Sequence, residues 1–225
     1  MKLTSHKVIR GTILCESGLH IGGSQEQMEI GGVDLPIIKH PISGAPYIPG
    51  SSLKGKMRSQ LEKIHGKVSP NKNGDLTDPC RCGKEDCLIC RVFGAHMNPN
   101  HKLGSTRIMV RDAKLSKETK DEYDKIVKEK GTSYLEKKTE NIINRMTGTA
   151  EHPRSQERVP EGAKFDLEIT IQLFDIDKEK EAKIIDLVKQ GLKLVQDSYL
   201  GGFGSRGSGQ VSFNDLKIDG TPTTL

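Results

Sequence analysis

Residues 164–174, KFDLEITIQLF, place Phe165, Leu167, Ile169, Ile171 and Leu173 on every second position with mostly polar residues between them. Side chains alternate across a strand, so this run buries one face of a sheet, and other parts of the chain must cover that face. Two segments have the right pattern. Leu53, Met57, Leu61 and Ile64 recur at helical spacing between Pro49-Gly50 and Gly66, with Ser51 or Ser52 as the expected N-cap. Ile184, Ile185, Val188, Leu192 and Val195 form a second apolar face, in a helix expected to be capped by Asp177, to carry Glu179 and Glu181 near its positive end, and to finish by Tyr199.

Three more segments read as strands: 6–14 (HKVIRGTIL), 105–113 (STRIMVRDA) and 209–218 (GQVSFNDLKI), the last alternating at Val211 and Phe213 before Leu216. The order is then β-α-β-β-α-β, an α+β chain with an RRM-like, or ferredoxin-like, core. A length of 225 residues favours one elaborated domain, residues 1–225. The remaining stretches are excursions from it: a long Gly/Pro-punctuated N-terminal loop from Gly18 to Gly50, a polar cysteine-containing insertion at 67–104, a charged segment at 116–130 that forms a short surface helix, and a mixed segment at 131–162.

A core of this kind hosts many unrelated activities, so function has to be sought in the excursions. LGGFGSRGSGQV, residues 200–211, packs Gly201, Gly202, Gly204, Gly207 and Gly209 around Ser205 and Arg206. Backbone without Cβ atoms can approach a phosphate closely and aim N–H groups at it, while Arg206 adds a charged fork of donors. No Gly-Lys-Ser/Thr follows, which disfavours nucleotide hydrolysis. IPGSSLKGKMRSQ, residues 48–60, sets Ser51, Ser52, Lys54, Lys56 and Arg58 at the start of a helix. Cations there oppose the helix dipole, and an external anion resolves the conflict. Net charge is only +5 and aromatic residues only 4%, so a nucleic acid would be gripped by its backbone and not by stacked bases.

Four of the five cysteines, Cys80, Cys82, Cys87 and Cys90, fall within one short stretch, C-x-C-x4-C-x2-C. Secreted disulfide frameworks spread their pairs, so a structural Zn2+ knuckle in a reducing compartment is the better reading, with His65 or His96 as possible substitutes for Cys80 or Cys82. Cys15 belongs to the core. No apolar run approaches the ~20 residues of a membrane span. The N-terminal segment alternates as a strand does, and a cytoplasmic location is expected.

LHIGG (19–23), GGVDLPIIKHP (31–41), YIPGSSLKGKMR (47–58), ENIINRMTGTAEHPRSQERV (140–159) and YLGGFGSRGSGQV (199–211) together closely resemble the RAMP-superfamily backbone subunit of type III-A CRISPR complexes, the repeated subunit of the Csm effector filament. The likeness runs through most of the chain and is broken mainly at 67–104. It implies an antiviral-defence protein whose copies stack helically along a CRISPR guide RNA, beside other Csm subunits, with a protruding thumb at 131–160. The matching groove uses Ser51, Ser52, Lys54, Lys56, Arg58 and Arg154 with Gly201, Gly202, Gly204, Ser205 and Arg206, and target single-stranded RNA is recognised by base pairing.

The resemblance also places Asp34 at the position of the family's RNA-cleaving aspartate. It implies a metal-dependent endoribonuclease in which Mg2+ (or Mn2+) on Asp34 assists attack of a ribose 2′-hydroxyl on the neighbouring phosphate. Read from spacing alone, an Asp two residues before Pro36 is an Asx turn. Two other readings follow: a ribonucleoprotein scaffold in which Asp34 is silent, and a metal-independent guide-processing endonuclease using His20 or His40.

Overall fold

The structure, a computed structural model, describes residues 1–23 and 33–225. The part of the Gly18–Gly50 loop between 24 and 32, including Gly31 and Gly32 of GGVDLPIIKHP, lies outside the described residues.

Strand β1 (Leu3–Cys15) is followed by the short β2 (Tyr47–Ile48) and helix α1 (Gly50–Ile64); the hairpin β3 (Ser69–Pro70) and β4 (Leu76–Asp78) and the short helix α2 (Leu88–Phe93) come next. Strands β5 (Ile108–Val110) and β6 (Ala113–Lys114) lead into helix α3 (Lys117–Lys130), then β7 (Glu136–Ile143), β8 (Ala150–Arg158) and β9 (Lys164–Phe174). Helix α4 (Glu181–Gln196), β10 (Val211–Ile218) and β11 (Thr221–Pro222) complete the chain.

The main sheet has the order β11-β10-β1-β9-β5. All its neighbours are antiparallel, with Ile13 facing both Phe165 and Phe213, and Ile108 facing Ile171. The alternating residues of β9 are all buried, joined by Ile9 and Ile13 of β1 and by Val211 and Phe213 of β10. Helices α1 and α4 contribute Leu53, Met57, Leu61, Ile184, Val188, Leu192 and Val195 to the same core. They pack closely at Gly191, where a Cβ would meet Met57 Cε at 3.1 Å and Leu61 Cδ1 at 3.2 Å. The break in the β10 alternation has a cause. The register slips between Arg10 and Thr12, and Asp215 takes φ 53°, so a bulge carries Leu216 to the buried side in place of residue 215.

The surface helix expected at 116–130 is present as α3, with the Ser116 side chain accepting the Thr119 N–H and Gly131 closing the helix in the left-handed region. Three expectations need correction. Helix α1 begins at Gly50 and neither Ser51 nor Ser52 caps it, because the Asp112 carboxylate accepts the Gly50 N–H at 2.8 Å from across the fold. The strand expected over 105–113 is only three residues of the main sheet; the chain turns out after Val110, and Ala113 pairs with Ile48 instead.

Nor does Asp177 cap α4, which starts four residues later behind Lys180. Its carboxylate is buried and accepts bonds from Arg107 Nε (2.8 Å), Arg107 Nη2 (3.1 Å) and Arg91 Nη1 (2.9 Å). Two buried guanidinium groups require a buried counter-charge, and that demand outranks a cap that solvent can supply. No helix of the described residues is long and apolar enough to cross a membrane.

Candidate nucleic-acid interface

The glycine turn after α4 folds against the segment that follows β1. Gly202 N–H donates to the His20 carbonyl at 2.8 Å and Gly209 N–H to that of Gly18 at 3.0 Å. Gly201 has φ 75°, and a Cβ there would collide with the His20 carbonyl oxygen; one on Gly204 would enter the Tyr199 ring, and one on Gly209 would strike the Leu200 carbonyl oxygen. Three of the five glycines therefore serve close packing inside the protein. The amides of Gly201, Phe203, Gly204 and Ser205 find no acceptor among the described residues. Arg206 lies over the Phe203 ring at 4.3 Å, and Phe203 meets His20 with ring centroids 4.8 Å apart.

Residues 136–158, within the excursion expected at 131–162, form an antiparallel hairpin, β7 with β8. The free edge of β8 is covered by the two described arms of the long loop: Leu19 bridges Val159, and Leu35 bridges Gln156. Asp34 is thereby fixed. Its Oδ2 accepts the Ser155 N–H at 2.8 Å, while the residue itself stays exposed. Arg154, next along β8, is also exposed. His20 is buried and shares its Nδ1 with the Glu157 carbonyl at 2.7 Å; exposed His40 accepts the Ser43 N–H on its own Nδ1 at 3.3 Å.

At the start of α1, Ser51 is exposed and Ser52 half-buried. Lys54 has no carboxylate partner among the described residues, and burial, then the Arg58 charge, holds its ammonium below the usual lysine range. Lys56 Nζ sits 3.3 Å above the Tyr199 ring centre and is lowered in the same direction, chiefly by burial. A half-buried cation without a counter-ion gains from an arriving anion. Arg58 is placed elsewhere. It bonds Glu62 Oε1 through Nε at 2.7 Å and the Cys80 carbonyl through Nη2 at 2.9 Å, facing the cysteine insertion.

The four cysteines converge as their spacing predicts. Their sulfur separations include 3.6 Å (Cys80–Cys82), 4.0 Å (Cys80–Cys87), 3.7 Å (Cys82–Cys90) and 3.5 Å (Cys80–Cys90), and all four lie within 4.8 Å of one another. A tetrahedral ion with metal–sulfur bonds of about 2.3 Å needs edges of about 3.8 Å, so the thiols fit such a site without rearrangement. Among the described residues the cluster includes neither His65, which bonds Gln190 Oε1 at 3.2 Å, nor His96.

One group escaped the sequence reading. Glu140 of β7 accepts Arg206 Nη1 at 2.7 Å, Lys138 Nζ at 3.0 Å and Gln156 Nε2 at 3.1 Å. The only sequence signal is the pairing of lysines with a nearby glutamate in KKTE within the thumb segment, which does not say that Arg206 closes the set.

A five-stranded antiparallel sheet with a glycine turn, a basic helix start and a hairpin whose edge the long loop covers defines a class, and known proteins fall in the same one. The family model of the RAMP superfamily matches residues 12–212. Among curated proteins, the chain is 44% identical to the "CRISPR system Cms endoribonuclease Csm3" of Methanothermobacter thermautotrophicus, over 99% of this chain and 89% of that protein. It is 42% identical to the protein of that name from Methanocaldococcus jannaschii (97% and 82% covered) and 40% identical to that from Streptococcus thermophilus (91% and 86%). A crystal structure of a Csm3–Csm4 subcomplex in the type III-A CRISPR-Cas interference complex aligns with TM-score 0.60 at 31% identity, covering 97% of this chain and 80% of that one. The chain belongs to the RAMP superfamily and, within it, to the Csm3 family of type III-A CRISPR systems.

Proposed function

We propose that this chain is a guide-RNA-binding backbone subunit that cuts complementary target RNA in a metal-dependent reaction, with Asp34 as the catalytic residue. The observation that carries the reading is the placement of Asp34. Its exposed carboxylate commits one oxygen to Ser155 N–H at 2.8 Å, and the same strand, β8, borders the glycine turn, where Arg158 Nη1 donates to the Ser208 hydroxyl at 3.3 Å. An anchored, open carboxylate suits Mg2+, which keeps most of its waters and borrows phosphate oxygens from a substrate. Bound there, the ion would stabilise charge on the phosphate under attack. The chain's own task is positioning: the free amides of Gly201, Phe203, Gly204 and Ser205, with Lys54 and Lys56, grip sugar and phosphate, and the hairpin acts as the thumb between successive pairing segments. Names of the relatives as endoribonucleases support an RNA-cutting activity.

In this reading the domain is single, its core is RRM-like with β1, β5, β9 and β10 as the four strands, and copies stack head to tail on the guide. The thiol cluster holds a structural Zn2+ in the insertion. A metal-independent processing reaction would have to rely on the exposed His40, because His20 is buried on the Glu157 carbonyl.

The test incubates the assembled complex with guide and complementary RNA, with and without chelator, beside Asp34→Ala. Cleavage should vanish with chelator and with the variant while RNA binding persists. Unchanged cutting by Asp34→Ala overturns the catalytic assignment, and chelator-resistant cutting of precursor guide would favour processing.

A further inference from the structure

Three donors from three different places converge on one side chain. Arg206 of the glycine turn, Lys138 of β7 and Gln156 of β8 all bond the Glu140 carboxylate, at 2.7, 3.0 and 3.1 Å. The donors are held independently of it. Arg206 is stacked on Phe203, Lys138 Nζ also donates to the Arg206 carbonyl at 3.2 Å, and Gln156 is 2% exposed. A guanidinium, an ammonium and a fixed amide aimed at one point make an anion seat, and the fork of Arg206 fits phosphate oxygens as well as it fits a carboxylate. The seat opens to solvent on the cationic side, with the Arg206 side chain 50% and that of Lys138 32% exposed. An ion pair this exposed contributes little to stability, so another anion can displace the carboxylate at small cost.

We infer that Arg206, Lys138 and Gln156 form a binding seat for an RNA phosphodiester, which the protein's own Glu140 carboxylate fills until RNA arrives. The inference rests on the RNA-binding reading above and adds the ligands Lys138 and Gln156, together with a built-in competitor. Glu140 lowers affinity for stray RNA and lets the seat open only when neighbouring phosphates are already held by the turn and by α1. Because Glu140 lies on the hairpin and Arg206 on the turn, displacing it also releases one tie between them.

The test measures binding of a labelled single-stranded RNA oligonucleotide by the full chain across a salt series. Glu140→Gln should tighten binding by roughly two- to fivefold at low salt, the scale of an exposed ion pair. It should also steepen the salt dependence by about 0.7 in log–log slope, one further phosphate contact. Both effects should disappear when Glu140→Gln is made in an Arg206→Ala background, and Glu151→Gln, a hairpin carboxylate bonded to Asn144, should reproduce neither. Glu140→Asp, which shortens the reach, should move affinity in the same direction if the Gln variant folds poorly. A gain that survives without Arg206 marks general charge and overturns the seat, as does unchanged or weaker binding by a variant with wild-type melting temperature. If the unaltered chain shows no salt-sensitive RNA affinity at all, the RNA-binding reading falls first and the seat with it.

Discussion

Glu62 accepts the backbone N–H of Cys80 at 2.8 Å, and so fastens the thiol cluster to the helix that begins the basic groove. The same carboxylate oxygen takes Arg58 Nε, and Arg58 returns a bond to the Cys80 carbonyl, so both sides of that residue's backbone are clamped. Glu62 is buried and half of a close ion pair, an arrangement that would hold a ligand of the proposed Zn2+ in place without touching the ion.

Removing the metal should therefore loosen residues 80–94 locally, and Glu62→Gln should weaken metal retention by about tenfold, the usual scale for a group that orients a ligand. Competition with a chromophoric chelator reads the affinity, and hydrogen exchange over the insertion reads the loosening. Arg58→Ala should lower metal affinity and melting temperature, whereas Lys54→Ala should lower RNA affinity and leave metal retention alone. Equal effects of Arg58→Ala and Lys54→Ala on RNA binding, with metal retention untouched, would return Arg58 to the groove.

The buried Asp177 predicts a pH dependence of stability. Burial alone would push its carboxyl up, but the Arg107 hydrogen bond, the Phe174 N–H, the Arg107 charge and the Arg91 bond together bring it below the usual aspartate range. A carboxyl held low in the folded state contributes stability above its unfolded value of about 3.9, and that contribution is lost as pH falls through the folded value. Unfolding followed from pH 7 downward should thus show a shallower acid loss for Asp177→Asn than for the wild type, the remainder coming from the other carboxyls held low, Asp124, Glu140, Asp175 and Asp219. At neutral pH the substitution leaves two guanidinium groups without a counter-charge and should cost about 3–5 kcal/mol. A loss under about 1 kcal/mol would mean that water reaches the triad.

Periodicity made the core legible. The β9 alternation and the apolar faces of α1 and α4 reflect burial on one side, a local property that each stretch of sequence records by itself. The cysteine site was legible for a related reason, since metal geometry limits how ligands can be spaced. What sequence could not supply were partners distant along the chain. Asp112 caps α1 across 62 residues, Arg58 is drawn to Cys80 across 22, and Glu140 meets Arg206 across 66. Nothing in the local pattern around Asp177 distinguishes a helix cap from the anion of a buried triad; Arg91 and Arg107 decide it. Asp34 drew its assignment from resemblance, because an exposed loop aspartate carries no periodic signature.

The glycine turn gives a sharper separation than its composition suggests. Gly201 and Gly207 have nearly the same φ, 75° and 81°, but a Cβ on Gly201 collides with the His20 carbonyl oxygen while one on Gly207 meets nothing within 4 Å. Replacement by alanine at Gly207 should therefore cost only the left-handed conformation, about 1–2 kcal/mol. At Gly201 the same penalty is joined by displacement of the His20 segment, for a total of roughly 3 kcal/mol or more. Chemical denaturation separates the two. RNA affinity should follow the same division, because moving His20 also moves Phe203 and with it the stacked Arg206, whereas Gly207→Ala leaves that stack in place. If Gly207→Ala proved the more damaging to RNA binding at equal stability, close approach of a phosphate at Gly207 itself, not packing against His20, would be what the turn's glycines chiefly provide.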